Sequence, residues 1–168
     1  VMSTLANESR KILLYQGIIC FDRNFDPYIK ATEMLRDEFA LYIMGPAWGK
    51  NDRIQLERLK NEHASLNYLG FIKPPDHLLF THFGYIGLLP YQASFEKAAY
   101  FKSMSVASIN ALYCAPNKIW EYAQAGVPML GSNVPGLRYP FEQFDMGLVA
   151  EADPENIAEK IIEIDKKH

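Results

Sequence analysis

Cysteine and histidine are scarce in this chain, and neither residue type is arranged for metal binding. The 168 residues include two cysteines, Cys20 and Cys114, which form no CxxC pair, and four histidines without zinc-type spacing. These features favour a reduced protein without a metal, which we expect in the cytoplasm.

Long apolar runs and an excess of basic residues are also missing. No apolar run approaches the roughly 18 residues needed to span a bilayer, and no cleavable signal pattern opens the sequence. The formal net charge is −3, so no general positive field attracts nucleic acid or anionic lipid. Any anion must therefore bind in a local pocket, and any contact with the inner face of a membrane would be peripheral.

The sequence lacks the motifs of several common nucleotide and hydrolase sites. A dinucleotide site needs GxGxxG after the first strand, whereas "YQGIICF" contains the single glycine Gly17. The segment "GPAWGKN" from Gly45 is one residue short of a P-loop and has no Ser or Thr for magnesium. No HExxH, GxSxG or paired-carboxylate motif is found, which excludes the hydrolases that depend on them.

The sequence does contain a regular alternation of short apolar strands and amphipathic helices. This alternation predicts a single α/β domain, a Rossmann-like parallel sheet with helices on both faces. We assign residues 1–10 to a polar lead-in and residues 11–168 to the domain. Strands are predicted at 11–17, 40–44, 66–72, 85–91, 127–131 and 147–151, and helices at 26–38, 52–63, 94–104, 117–125 and 137–144, with a short one from 74 and a last one from 153.

Ligands of such sheets bind beyond the carboxyl ends of the strands. The predicted site therefore comprises 17–26, 45–50, 71–76 and the loop before Asn117.

The stretch "CAPNKIWEYAQAGVPML" supplies the polar groups for this site. Asn117 can cap a helix that Pro116 approaches, and the helix N-terminus favours a phosphate. Lys118 and Glu121 share one helix face, where a carboxylate can accept from two adjacent ribose hydroxyls and a lysine can neutralise a diphosphate. This arrangement suits a nucleoside diphosphate; an exposed Lys118–Glu121 ion pair is the alternative.

The longer stretch "APNKIWEYAQAGVPMLGSNVPGLR" resembles the donor-binding signature of the group 1 family of retaining glycosyltransferases, which have two Rossmann domains. Weaker similarity covers most of the chain, through "ILLYQGII", "LNYLGFIKPPDHLLFTHFGYIGLLPY" and "DPENIAEKII". The resemblance implies the C-terminal domain of an enzyme that transfers a sugar from a nucleoside diphosphate sugar, by default a UDP-sugar, to a glycan acceptor. It implies no metal and no cofactor, and a role in polysaccharide synthesis.

The resemblance also implies roles for individual residues. Glu121 would bind the ribose hydroxyls, and Gly17 would let the first loop approach the phosphates or the sugar. Arg23 and Lys118, with the helix dipole at Asn117, would stabilise the charge that develops on the β-phosphate. The set of nucleotide-sugar-binding residues is Gly17, Arg23, Phe71, Ile72, Pro116, Asn117, Lys118 and Glu121, in which Phe71 and Ile72 meet the base through their backbone.

Two positions depart from the family pattern: Tyr113 stands where many members have an acid, and Ile18 where many have arginine. An enzyme of this type also needs an N-terminal acceptor-binding domain. We therefore expect the chain to be one half of a longer enzyme, inactive in isolation, whose partners are the nucleotide-sugar donor and the missing half. Membrane contact would come only through that half or a lipid-linked acceptor.

Three other functions remain open: a nucleotide-sugar epimerase of the related two-domain fold, a noncatalytic nucleotide-binding module, and a structural α/β domain that binds no nucleotide. Individual residues also have simpler interpretations. Arg23 could be a solvated loop residue, and His77 and His82 could be ordinary surface or core residues. Trp120 and Tyr122 are expected to pack against the sheet.

Overall fold

A computed structural model describes residues 2–20, 23–91 and 116–168 of the chain. Within these residues one six-stranded sheet forms, with the strand order β3-β2-β1-β4-β5-β6 and parallel pairing throughout. This order and the helices on both faces confirm the predicted Rossmann-like α/β domain. The strands are β1 (Lys11–Gln16), β2 (Phe39–Met44), β3 (Asn67–Tyr68), β4 (Ile86–Leu89), β5 (Met129–Ser132) and β6 (Gly147–Ala150).

The helices connect these strands as the sequence pattern predicts, with some shifts of their ends. The helix predicted at 26–38 ends at Met34, and the strand predicted at 66–72 is reduced to Asn67–Tyr68. The candidate helix at 94–104 and Cys114 lie outside the described residues. The helices are α1 (Met2–Ala6), α2 (Asp26–Met34), α3 (Lys50–Glu62), α4 (Leu78–Thr81), α5 (Asn117–Gln124), α6 (Pro135–Phe144) and α7 (Pro154–Asp165).

The central strands are apolar along their length because helices cover both faces of the sheet. Successive side chains of a strand point to opposite faces, so Leu13 and Tyr15 enter one core cluster and Ile12 and Leu14 enter the other. The first cluster includes residues of α2, α3 and α7, and the second includes residues of α5 and α6. The carboxyl ends of β1 and β2 thus lie at one edge of a sheet that is buried on both faces.

The predicted lead-in is attached to the domain by packing and by an ion pair. Leu5 of α1 is 2% exposed and belongs to the same core cluster as Ile12. Glu8 accepts two hydrogen bonds of 2.9 Å from the Arg10 guanidinium and one of 2.8 Å from the Tyr42 hydroxyl. This segment therefore contributes to the stability of the fold.

We expect the Glu8 carboxylate to make stability depend on pH. Its hydrogen bonds with Arg10, aided by Tyr42, lower the pKa of Glu8 from an ordinary value of 4.5 to about 2. Because the folded state favours the carboxylate, the stabilisation is complete above pH 4.5 and is lost as the pH falls toward 2. Thermal melting of Glu8→Gln should therefore vary less over this pH range than that of the wild type. Glu142→Gln, at an exposed position, should keep the wild-type profile.

Within the part of the chain described here, no helix combines the length and the apolar character that crossing a bilayer requires.

Candidate functional site

A cavity of about 420 Å³ opens beyond the carboxyl ends of β1 and β2, beside the N-terminus of α5. All four predicted segments contribute to its wall: the loops after β1 and β2, the segment at 71–76, and the chain before Asn117. The cavity therefore lies at the sheet edge where the sequence predicts a ligand site. Of the predicted site residues, the structure brings together Gly17, Phe71, Ile72, Pro116, Asn117, Lys118 and Glu121 around it.

Two glycines in the lining of the cavity, Gly17 and Gly45, have backbones in close contact. Gly17 and Gly45 have φ angles of +139° and +146°, which side-chain-bearing residues rarely adopt. A Cβ atom at Gly45 would lie 1.8 Å from the carbonyl oxygen of Gly17, and one at Gly17 would lie 2.2 Å from Cε of Lys118. Glycine is needed at both positions, because the two loops and the lysine occupy the same small volume.

Lys118 extends from α5 across the first loop of the sheet. Its Nζ lies 5.5 Å from the centroid of the buried Tyr15 ring, and its aliphatic end passes over Gly17. The Tyr15 hydroxyl in turn donates a 2.6 Å hydrogen bond to the carbonyl of Ile18, which holds the same loop. The ammonium group is therefore held beside the backbone of the loop that follows β1.

The N-terminus of α5 faces the cavity, with Pro116 rather than Asn117 at the capping position. Pro116 has an extended backbone (φ −69°, ψ 140°) and Asn117 is the first helical residue, so the predicted capping role of Asn117 is wrong. Proline fixes φ but offers no capping side chain, so Pro116 itself supplies no side-chain hydrogen bond to the helix. The first N–H groups of a helix lack intrahelical acceptors, so they are suited to an anion in the cavity.

The Glu121 carboxylate is held by residues of two other elements. Its Oε2 accepts a 2.7 Å hydrogen bond from Nε2 of Gln16, and its Oε1 lies 3.4 Å from Nε2 of His77. The side chain is 25% exposed and lines the cavity. Glu121 is thus a partly buried, oriented carboxylate, whereas the alternative interpretation places it in an exposed surface ion pair.

Tyr122 fixes α5 to the sheet, as predicted. The ring is buried against Gly87, where a Cβ atom would come within 2.6 Å of it. Its hydroxyl donates to the carbonyl of Leu14 at 2.8 Å and accepts from the backbone N–H of Gln16 at 3.1 Å. Burial raises the pKa of Tyr122 well above its usual value, so the hydroxyl remains a donor.

The matching expectation for Trp120 is wrong, because this side chain is 63% exposed. Residues two positions apart on a helix lie roughly 200° apart around its axis. A helix that buries Tyr122 against the sheet therefore directs Trp120 toward solvent.

Replacing Tyr122 by phenylalanine should lower the free energy of unfolding by about 1–3 kcal/mol. The ring stays in place, but the carbonyl of Leu14 and the N–H of Gln16 lose their buried partner. Denaturation in urea measures the difference. Tyr139→Phe, at an exposed position of α6, is the control and should leave stability nearly unchanged; equal values for the two variants would contradict this role.

Arg23 lies behind the cavity wall and is 8% exposed, so it is not a solvated loop residue. Its guanidinium carbon is 4.0 Å from the ring centroid of Tyr91, which does line the cavity. Its backbone carbonyl accepts a 3.2 Å hydrogen bond from Gln55. The structure thus places Arg23 one side chain away from the cavity, and its role toward a diphosphate stays a prediction.

Four cavity residues lie outside the predicted segments and the named binding residues: Gln16, Met44, His77 and Tyr91. The sequence does hint at Gln16 as a site residue, because it is the polar end of the apolar strand β1, directly before Gly17. Trp48 lies within the predicted segment 45–50, although the set of named binding residues does not include it. The sequence alone suggests only a surface or core position for His77, because its contact with Glu121 spans 44 positions of the chain.

A second polar cluster lies between α2 and α3, where ligand atoms of Asp26, Glu62 and His63 come within 4.8 Å of one another. Arg58 already occupies this cluster, donating to Asp26 at 2.8 and 3.0 Å and to Glu62 at 2.6 Å. Its hydrogen bonds lower the pKa of Asp26. We therefore interpret the cluster as an ion-pair network between two helices rather than a metal centre.

No protein-family model matches the sequence, and no curated protein matches it. Solved structures match the fold over nearly the whole chain. A glycosyltransferase involved in avilamycin A biosynthesis is 16% identical, with a TM-score of 0.60 over 94% of this chain and 44% of its own. The Anabaena protein HepE, in complex with UDP and glucose, is 14% identical, with a TM-score of 0.63 over 98% of this chain and 40% of its own.

A UDP-GlcNAc 2-epimerase from Neisseria meningitidis, bound to UDP-GlcNAc, is 11% identical, with a TM-score of 0.62 over 97% of this chain. The chain spans 38–44% of the lengths of these three proteins. It therefore has the fold of one Rossmann-like domain of the two-domain glycosyltransferases, which confirms at the level of fold the resemblance to their C-terminal domain. The epimerase shares this fold, so the choice of function depends on the site.

Proposed function

We propose that this chain is the donor-binding domain of a glycosyltransferase and that its cavity binds a nucleoside diphosphate sugar, with UDP as the nucleotide. The observation that carries the proposal is the oriented Glu121 carboxylate, which shares one cavity with the N-terminus of α5 and with Lys118. A carboxylate suits the two hydroxyls of a ribose, and a helix N-terminus beside an ammonium group suits a diphosphate.

These groups define how the donor would lie. The ribose would contact Glu121, and the diphosphate would lie beside the first turn of α5, next to the ammonium group of Lys118. The base would extend toward the backbone of Phe71 and Ile72, which also line the cavity. The close packing at Gly17 supports this arrangement, because a backbone without a side chain lets Lys118 lie directly against the first loop, where its ammonium group can face the diphosphate.

In the proposed reaction the bond between the anomeric carbon and the β-phosphate oxygen breaks, and an acceptor hydroxyl oxygen bonds to that carbon with retention of configuration. Negative charge grows on the departing β-phosphate oxygen, which takes the electron pair of the broken bond and accepts the proton that the acceptor hydroxyl loses. Lys118 and the dipole of α5 would stabilise this charge more strongly in the transition state than in the ground state. We propose that no metal takes part and that the positive charge of Arg23, whose guanidinium lies against the ring of Tyr91, adds to this field.

A second Rossmann-like domain would hold the acceptor, because the reaction of such enzymes takes place in the cleft between two domains. The chain by itself should then bind donor but transfer little sugar. We propose a glycan acceptor, lipid-linked in a pathway of polysaccharide synthesis, and a cytoplasmic reaction at the inner face of a membrane. The resemblance of the stretch from Ala115 to Arg138 to the donor-binding signature supports this assignment.

Calorimetric titration of the chain with UDP, GDP and NAD tests the proposal. We expect saturable binding of UDP at a single site, with weaker binding of GDP and no binding of NAD. Tighter binding of GDP would keep the class of function and change the base. Preferential binding of NAD would contradict the proposed function and favour a nucleotide-binding module of another kind. No binding of any of the three would contradict it and favour a structural domain.

A further inference from the structure

Gln16 is a buried amide between the candidate site and the core of the domain. It is the last residue of β1 and is 1% exposed. Its Nε2 donates to Oε2 of Glu121 at 2.7 Å, and its Oε1 accepts a 2.8 Å hydrogen bond from the hydroxyl of Thr81. Thr81, at the end of α4, is also 1% exposed. A buried chain of hydrogen bonds thus runs from Thr81 through Gln16 to Glu121.

This chain of hydrogen bonds determines which end of the amide faces the carboxylate. With the Thr81 hydroxyl donating to Oε1, the NH₂ group of Gln16 points toward Glu121. The flipped amide would place its carbonyl oxygen against a carboxylate oxygen, which brings two acceptors together without a proton between them. The backbone of Gln16 is held as well, because its N–H donates to the Tyr122 hydroxyl.

The number of acceptor positions on Glu121 also fits this role. A carboxylate offers about four lone-pair positions, and Gln16 and His77 take one on each oxygen. The remaining positions match the two hydroxyls of a ribose. A carboxylate that is already oriented loses less conformational freedom when these hydroxyls arrive, which strengthens binding.

We infer that Gln16, supported by Thr81, is a positioning residue that holds the Glu121 carboxylate for the ribose hydroxyls of the donor. The inference rests on the proposed function, because it assumes that Glu121 contacts the ribose. Gln16 acts on the nucleotide only through Glu121. Its removal should therefore affect a nucleotide that carries the ribose hydroxyls and spare one that lacks them.

The test is a comparison of UDP with 2′,3′-dideoxy-UDP by calorimetry, for the wild type and for Gln16→Met. Methionine keeps the length and the apolar packing of the side chain but cannot donate to Glu121. We expect the affinity for UDP to fall about five- to tenfold, the size of effect when binding must immobilise a side chain that was held before, with no change for the dideoxy nucleotide. Gln124→Met, on the exposed side of α5, should leave both affinities unchanged.

Thr81→Val provides a second variant of nearly the same shape, and it should reduce UDP binding in the same selective way. Circular dichroism shows whether each variant is folded, and Thr81→Val decides the test if Gln16→Met is not. Equal losses for both nucleotides would show that Gln16 supports only the fold, and unchanged UDP affinity would show that it does not position Glu121. Either result overturns the inference. A wild type that does not distinguish the two nucleotides would instead contradict the proposed function.

Discussion

Replacing Glu121 by alanine is expected to weaken UDP binding at least about tenfold, which corresponds to about 1.4 kcal/mol. In the proposed complex, the substitution removes the acceptor of both ribose hydroxyls at once. It also leaves the Nε2 donor of the buried Gln16 without its acceptor, which adds a smaller loss of stability. Calorimetric titration measures the first effect, and thermal melting of the same sample measures the second.

Two further variants separate the possible causes of this loss. Glu121→Gln keeps the size of the side chain but removes its charge, so UDP affinity should fall by a smaller factor than in Glu121→Ala. Glu159→Ala, at an exposed position of α7, removes a carboxylate that does not line the cavity. This variant should bind UDP like the wild type. Unchanged affinity in Glu121→Ala would remove the observation on which the proposed function depends.

Gly45→Ala is expected to have the largest effect on stability, with a loss of about 3 kcal/mol or more. The φ angle of +146° is strained for alanine, and the new Cβ would meet the backbone carbonyl of Gly17 at 1.8 Å. A backbone oxygen cannot rotate away as a flexible side chain can. The loops after β1 and β2 would have to separate, which should also reduce nucleotide binding.

Gly126→Ala is the matched control for this substitution. Gly126 follows the end of α5 with a φ angle of +69°, and no atom lies within 4 Å of its virtual Cβ. Alanine there meets only the left-handed backbone penalty of about 1–2 kcal/mol. Urea denaturation should therefore give a clearly lower free energy of unfolding for Gly45→Ala than for Gly126→Ala. The Gly126→Ala variant should also keep its UDP affinity. Equal stability of the two variants would contradict the packing argument.

The parts of the site that the sequence predicts are those that depend on local spacing. Lys118 and Glu121 share a helix face because they are three residues apart, and the loops after Gln16 and Met44 meet because parallel strands end at the same edge. Both arguments need only the secondary structure and the order of the chain. The structure accordingly brings Gly17, Lys118 and Glu121 to one cavity.

The parts that the sequence does not predict depend on contacts between distant positions. Gln16 is 105 residues from Glu121 and 65 from Thr81, so its hydrogen bonds have no local pattern. Its position in an apolar strand suggests packing, and only the meeting of three elements gives it two polar partners. The burial of Arg23 behind Tyr91 is of the same kind, because the sequence places it in a polar loop.

The positions of the two tryptophans provide an intrinsic optical reporter of ligand occupancy. Trp48 lines the cavity and is 63% exposed, so a ligand that displaces water from its indole should change the wavelength and intensity of its fluorescence emission. Trp120 adds a signal from the outer side of α5, next to Glu121 in sequence. In a Trp120→Phe variant, all tryptophan fluorescence would come from Trp48. Its change could be followed by rapid mixing to measure nucleotide association without an attached dye.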